Sequence, residues 1–391
     1  MSNQTMKPKH KQRSNAKSAM LALGACAAAV LPASAQQIGD VFVIAMENHN
    51  LTQPNPTSNP NQILNNPAAP YLNSLMTAGN PNAAQSSYAT QYFNDGTGVH
   101  PSEPNYVWAE AGTDFGFHSD ADPTVANGNI YSAPTLTSQM DAKGISWKNY
   151  QEDLQYTSSP QVSKSGTGTV NQYNGSTQYN YAAKHNPMAF FTDSANKNVF
   201  NLSQLTLDLN NNSVGRYNWI TPNQFNDAHS ALTGGFTYNG THYTGDQASV
   251  AQGDNFLSQI IPQIMSSQAY KNNGAIVIWW DETEGGDTSS YTIPEIVLSP
   301  LAKGNAYASS LAMSHTSDLE TMEELLGLGT LANAIPAGET NVSGGYNADG
   351  TVNDLSDLFQ PSAVPEPSTV AVAGVGLALA GLFGYRRSLR R

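Results

Sequence analysis

Four polar clusters, each placed after an apolar run, carry the candidate chemistry of this chain. They are Glu47-Asn48 after VFVIAM, Asp227 and His229 after YNWI, Asp281-Glu282 after AIVIWW, and His315 after EIVLSP. Together they offer carboxylate, amide and imidazole groups, the donors taken by hard or borderline divalent cations. The stretch DETEGGD, Asp281 to Asp287, puts four carboxylates within seven residues, a negative field that a cation relieves. A fifth element is HPSEPNY, His100 to Tyr106. Its two prolines fix their own φ angles and push His100 and Glu103 toward extended conformations, which restricts where the Ser102 hydroxyl can point. A metal-bound serine hydroxyl loses its proton more easily, and the same cation neutralises a phosphate under attack, so the set reads as nucleophilic phosphoryl chemistry.

Taken singly, each element also has a plainer reading. Glu47-Asn48 suits a helix cap, Asp281-Glu282 a solvated turn, Pro-Ser-x-Pro a surface turn, and His229 and His315 surface or capping histidines. What joins them is the repeated position after a strand end.

The elements that must position these residues follow from the apolar pattern. VFVIAM, YNWI, AIVIWW and EIVLSP are short continuous apolar runs with β-branched residues, expected to be buried strands of a mainly parallel sheet. Helical patterns lie between them. DNFLSQIIPQIMSSQAY predicts a helix starting at Asp254 and stopping before Gly274, and SDLETMEELLGLG predicts a last helix starting after His315 or Ser317. Alternating strands and helices predict a doubly wound α/β fold, in which ligands bind beyond the carboxyl ends of the strands. Residues 155–183, rich in Tyr, Asn, Ser and Gly, are expected to form a long surface loop or lid near the site.

Both ends read as addresses. Residues 1–35 place Lys7, Lys9, Lys11, Arg13 and Lys17 before an apolar run and PASA, the order of a secretory signal cleaved after Ala35. Residues 361–391 carry VPEP, an apolar stretch from Val370 to Tyr385, and four arginines. Between them, residues 36–360 are expected to form a single catalytic domain. The two ends hold more than half of the 17 Lys+Arg but only Glu366 of the 30 Asp+Glu, so the body is strongly acidic. That sign argues against a nucleic-acid partner and leaves the membrane only to the tail. The one cysteine, Cys26, lies in the leader, which removes disulfides and Cys-ligated metals from the exported protein.

The blocks VFVIAMENHN, HPSEPNYVWAEAG, ISWKNYQED, KHNPMAFF, ITPNQFNDAH, AIVIWWDETEGGD, IVLSPLAKG and SHTSDLETMEELLGL, in this order, resemble the phosphoesterase family of acid phosphatases and phospholipases C, within the alkaline phosphatase superfamily. The tail resembles a PEP-CTERM sorting signal, which implies export in a Gram-negative bacterium, processing by exosortase-type machinery, and a final place at the cell surface, in the matrix or outside. The family resemblance implies an alkaline phosphatase-like fold and a divalent metal cofactor, one or two ions per site. It makes Glu47, Asn48, Asp281 and Glu282 ligands together with Ser102, the nucleophile. Asn105 would hold a phosphate oxygen. Asp227, His229 and His315 match a second cluster that in relatives binds another metal, or contacts phosphate and protonates the leaving group. His185 in KHNP and His100 are candidates for substrate contact. Thr288 stands where the phospholipase branch carries a histidine, which favours the phosphatase branch. The implied activity is a secreted, metal-dependent, acid phosphatase-like phosphomonoesterase working through a phosphoserine. A phospholipase C or other phosphodiesterase is the alternative within enzymes, and a non-catalytic matrix or surface protein the alternative outside them.

Overall fold

The computed structural model describes residues 37–52, 62–95, 101–154, 165, 180–283, 291–331 and 351–361. Both end segments, His100, Thr288 and most of the 155–183 stretch lie outside these residues.

In chain order the strands are β1 (Val41–Met46), β2 (Ser86–Phe93), β3 (Trp147–Gln151), β4 (Val199–Asn201), β5 (Tyr217–Thr221), β6 (Phe236–Tyr238), β7 (Thr241–Tyr243), β8 (Ala275–Trp280), β9 (Glu295–Leu298) and β10 (Tyr307–Ser314). The helices are α1 (Pro70–Leu75), α2 (Ser102–Ala111), α3 (Leu136–Lys143), α4 (Ser203–Asn211), α5 (Asp246–Ser266), α6 (Gln268–Lys271) and α7 (His315–Leu325). Eight strands form one sheet in the order β10-β2-β9-β8-β1-β5-β3-β4, and β6 and β7 make a separate hairpin. Within the eight-stranded sheet, among the described residues, only β9 runs against its neighbours, β2 and β8. This is an α/β doubly wound fold with a mainly parallel sheet and flanking helices.

The central strands are buried along their whole length, which is why VFVIAM, AIVIWW and YNWIT show no alternation. Register then sets the site. Met46 pairs with Trp280 and Ile44 with Ile220, so three strands end at nearly one level. The residues that follow, Glu47, Asp281 and the 222–229 loop, emerge side by side.

Two helices depart from expectation. HPSEPNY is no isolated turn, because Ser102 opens α2, with Pro101 as its extended N-cap and Gly112 as its left-handed end at φ 66°. Pro104 fits within the first turn, where backbone N–H groups have no partner in the helix. The helix escapes a search for amphipathic pattern because nearly every residue in it is buried. The second departure is α5, which begins at Asp246, breaks at Ser267 and resumes as α6. Asp254 lies inside α5, and its carboxylate accepts from the N–H groups of Tyr71 (2.9 Å) and Leu72 (2.7 Å). The capping signal was real but serves α1, a different helix. The last helix starts at His315, with a capping box formed by Ser314 and Ser317.

Candidate active site

Glu47 is the hub. It follows β1 and is fully buried, and its two oxygens have different partners. Oε2 accepts from the Ser102 hydroxyl at 2.9 Å and from the Asn48 amide at 3.1 Å. Oε1 accepts from the Tyr106 hydroxyl at 2.5 Å and lies 3.3 Å from Nε2 of His185. Serine and tyrosine reach the same carboxylate because they are four residues apart on α2 and so share a face.

Asp281 and Glu282, after β8, close the near side. Asp281 Oδ1 accepts from the Asn48 backbone N–H at 2.9 Å, and Glu282 Oε1 lies 3.3 Å from the Ser102 hydroxyl. On the far side the Asp227 carbonyl accepts from the Glu47 N–H at 2.8 Å, and Asp227 Oδ2 is 3.7 Å from Nδ1 of His185. His185, in a short 3₁₀ turn at Ala183–His185, thus sits between two carboxylates. Ligand atoms of Glu47, His185 and Asp227 lie within 4.8 Å of one another. His229 is half-buried, its ring 5.8 Å from that of His185.

Burial sets the electrostatics. It pushes the carboxyl groups of Glu47 and Asp227 well above their ordinary range, and neighbouring Asp281 adds to this in both. Asp281 is raised to about 8 by burial and then by Glu282. Burial also lowers His185 strongly, and His229 to about 4. Lys184, ion-paired with Asp120, is the lysine whose charge is felt at Glu47, Asp227, His185 and His229. One lysine does not balance four clustered carboxylates. Asp227 Oδ2, Asp281 Oδ2 and both ring nitrogens of His185 are buried without a hydrogen-bond partner among the described residues. Such orphaned donors and acceptors, of oxygen and imidazole type, fit a divalent cation.

The structure therefore brings together Glu47, Asn48, Ser102, Asp227, Asp281, Glu282, His185 and His229. Asn105 stands nearby, its Oδ1 accepting from Asn94 at 3.3 Å and its Nδ2 donating to the Pro101 carbonyl at 3.4 Å. His315 is placed differently. Its Nε2 is 2.9 Å from the Trp280 carbonyl, and its ring lies 4.7 Å from that of Trp279. It thus braces the residue before Asp281, while Nδ1 is buried with no hydrogen-bond partner among the described residues, and burial lowers its pKa to about 4. Two participants escaped the sequence reading. Tyr106 is found once α2 is known to start at Ser102, and Asn94 once β2 is read as a strand; Asn94 donates to the Asp281 carbonyl at 3.2 Å.

A profile of the phosphoesterase family matches residues 80–329, and one of the PEP-CTERM protein-sorting motif matches residues 363–391. The chain belongs to the phosphoesterase family and is a phosphoric ester hydrolase. Ser102, His185, Asp227 and Asp281 fall inside the matched span; Glu47 precedes it and joins the site through the contacts above. A phosphatidylinositol-3-phosphatase of Mycobacterium tuberculosis is 28% identical over 70% of this chain and 76% of its own. A phosphate-repressible acid phosphatase of Penicillium chrysogenum is 28% identical over 52% of this chain, and an acid phosphatase of Aspergillus fumigatus 36% identical over 34%. These matches span only 42% and 28% of the two fungal proteins. Solved structures to which the chain is similar include an alkaline phosphatase superfamily protein from Vibrio parahaemolyticus, with TM-score 0.45 and 11% identity over 76% of this chain and 68% of that one. The lipoteichoic acid synthase LtaP of Listeria monocytogenes has TM-score 0.49 and 10% identity over 76% of this chain and 74% of its own.

Proposed function

We propose that this chain is an exported, divalent-metal-dependent phosphomonoesterase that transfers a phosphoryl group first to Ser102 and then to water. The observation that carries the reading is the Ser102 hydroxyl, buried at the first residue of α2 and held 2.9 Å from Glu47 Oε2 and 3.3 Å from Glu282 Oε1.

Glu47, Asn48, Ser102, Asp281 and Glu282 would hold one cation, and Glu47, His185 and Asp227 offer donors for a second. A bound cation lowers the pKa of the serine hydroxyl and neutralises phosphate charge. The chain's own groups do the rest. Glu47 Oε2 accepts the Ser102 proton as the Oγ–P bond forms and the bond to the leaving oxygen breaks. The N-terminus of α2 favours the negative charge that gathers beside Ser102. Asn105 is placed to hold a phosphate oxygen, and His229, half-buried on the Asp227 side, to serve the departing oxygen. The oxygen of a water then bonds to phosphorus as the P–Oγ bond breaks; Ser102 takes back the proton held by Glu47, and inorganic phosphate leaves with the proton of that water.

Phosphomonoester chemistry draws support from the names of the relatives, all three of which are phosphatases. The sorting motif at 363–391 supports export with processing by exosortase-type machinery, and with it a boundary near residue 360. No helix among the described residues is long and apolar enough to cross a membrane. The test is Ser102→Ala, which removes the nucleophile and keeps the carboxylates. It should bind Mn²⁺ and lose nearly all release of phosphate from p-nitrophenyl phosphate. Wild-type rates in that variant would contradict the proposal.

A further inference from the structure

Between Asp227 and His229 stands Ala228, buried, with φ at 78°. An alanine rarely adopts that left-handed conformation, and it persists only where the surroundings enforce it. What faces it is the middle of α5. A Cβ on Gly253 would lie 2.9 Å from the Ala228 Cβ and 3.0 Å from the Met46 Cε, against ordinary contacts of 3.4–4 Å. Met46 is the residue before Glu47. The one missing side chain on α5 therefore stands where the segment carrying Glu47 meets the segment carrying Asp227 and His229, which are joined there by the Glu47 N–H to Asp227 carbonyl bond of 2.8 Å. The adjacent residue holds the same loop from its backbone. Gln252 Nε2 donates to the carbonyls of Phe225 (2.9 Å) and Ser230 (3.1 Å), and its Oε1 accepts from the Leu232 N–H at 3.0 Å. Glycine inside a helix is unfavourable relative to alanine, and Gly253 has no positive φ to explain it. Close approach is the remaining reason.

We propose that Gln252 and Gly253 form a positioning seat on α5. Gln252 grips the 225–232 loop while the bare Gly253 lets it close against Met46, and this fixes the distance of Asp227 and His229 from Glu47. The inference rests on the reading of Asp227 and His229 as site residues. A methyl group at 253 meets the Ala228 Cβ, which cannot yield without its backbone, so the loop carrying Asp227 and His229 moves back by several tenths of an ångström relative to Glu47, while the Met46 Cε, the free end of a flexible side chain, turns aside.

The test is a cycle of Gly253→Ala, Ala228→Gly and the double variant. Each is compared by Mn²⁺ titration of the chelator-stripped protein, by kcat and KM for p-nitrophenyl phosphate, and by melting of the metal-free form. Gly253→Ala alone should weaken Mn²⁺ binding about tenfold and lower kcat about 10–100-fold, with melting little changed. In the Ala228→Gly background the same change should cost no more than about threefold in either quantity, because the Cβ that it meets is gone. Wild-type Mn²⁺ affinity and kcat in Gly253→Ala overturn the proposal, and so does a loss that Ala228→Gly fails to relieve. If Gly253→Ala does not fold, the double variant decides against Ala228→Gly alone: folded and within threefold of it supports the seat, unfolded overturns it. Asp227→Asn separates the two levels of the account. If it changes neither Mn²⁺ binding nor turnover, the site assignment has failed; if it abolishes both while Gly253→Ala alters neither, only the seat has.

Discussion

Replacing Tyr106 by phenylalanine probes the hub with the smallest perturbation the site allows. The ring is held without help from its hydroxyl, stacked on His185 at 5.0 Å and 11° and set edge-on to Trp279 at 5.3 Å and Trp219 at 6.2 Å. Only the bond to Glu47 Oε1 is lost. A hydrogen bond to a charged group contributes about 1.5–3 kcal/mol. The Tyr106 bond favours the ionised form of Glu47 and so lowers its pKa against the upward push of burial. Its loss should raise the Glu47 pKa further, adding to the push of burial and of neighbouring Asp281 and Asp227. Glu47 must be ionised to take the Ser102 proton and to hold a cation, so the acidic limb of kcat/KM should move to higher pH. Cation affinity should fall about 10–100-fold, the usual effect of removing a partner of a ligand. The assays are a pH profile with p-nitrophenyl phosphate at saturating Mn²⁺ and a calorimetric Mn²⁺ titration. A folded Tyr106→Phe protein with an unmoved acidic limb and unchanged Mn²⁺ affinity would refute the reasoning.

Asp281→Asn should lose Mn²⁺ binding and turnover together, and full activity with undiminished metal content would reduce DETEGGD to a solvated turn. In the chelated protein the Asp281 carboxyl, raised from 3.8 to about 8, contributes stability that is present at acid pH and lost as pH climbs to about 8. Burial of His185, His229 and His315 has the opposite sign up to their ordinary value of 6.5, so the melting temperature should fall from pH 6.5 to pH 8, and Mn²⁺ should restore it; a chelated form more stable at pH 8 than at pH 6.5 contradicts the charge argument. His315→Asn should weaken turnover of an alkyl phosphate and of p-nitrophenyl phosphate equally, because His315 braces the Trp280 carbonyl ahead of Asp281. A loss confined to the alkyl ester, whose departing oxygen needs protonation, would instead mark it as the leaving-group acid.

The parts of this site that could be read from the chain are those where one residue's surroundings are its own sequence neighbours. Glu47, Asp227 and Asp281 announce themselves because each follows a fully buried strand, and a strand buried on both faces is legible as an unbroken apolar run. Residues whose role is set across the fold are not legible in that way. Tyr106 and Ser102 share a carboxylate only because α2 starts at Ser102, and α2 is buried all round and shows no stripe. His185 enters the cluster from a single 3₁₀ turn with no periodicity. Asp254 caps a helix more than 180 positions away in sequence, so its local reading as a helix start was mistaken. His315 was read as following EIVLSP, but that run forms the antiparallel β9; the strand that ends at His315 is β10, partly exposed and without an apolar run, and the bond of His315 to a backbone carbonyl was not legible either.

The most direct test of the central claim is to trap the enzyme during turnover. The protein, loaded with Mn²⁺ and supplied with a ³²P-labelled phosphomonoester, is quenched in acid, where a phosphoserine is stable, and its peptides are mapped. Label should appear on the peptide containing Ser102, be absent in Ser102→Ala and be chased by unlabelled substrate. An active enzyme that carries no label at Ser102, or label elsewhere that survives Ser102→Ala, would contradict that claim.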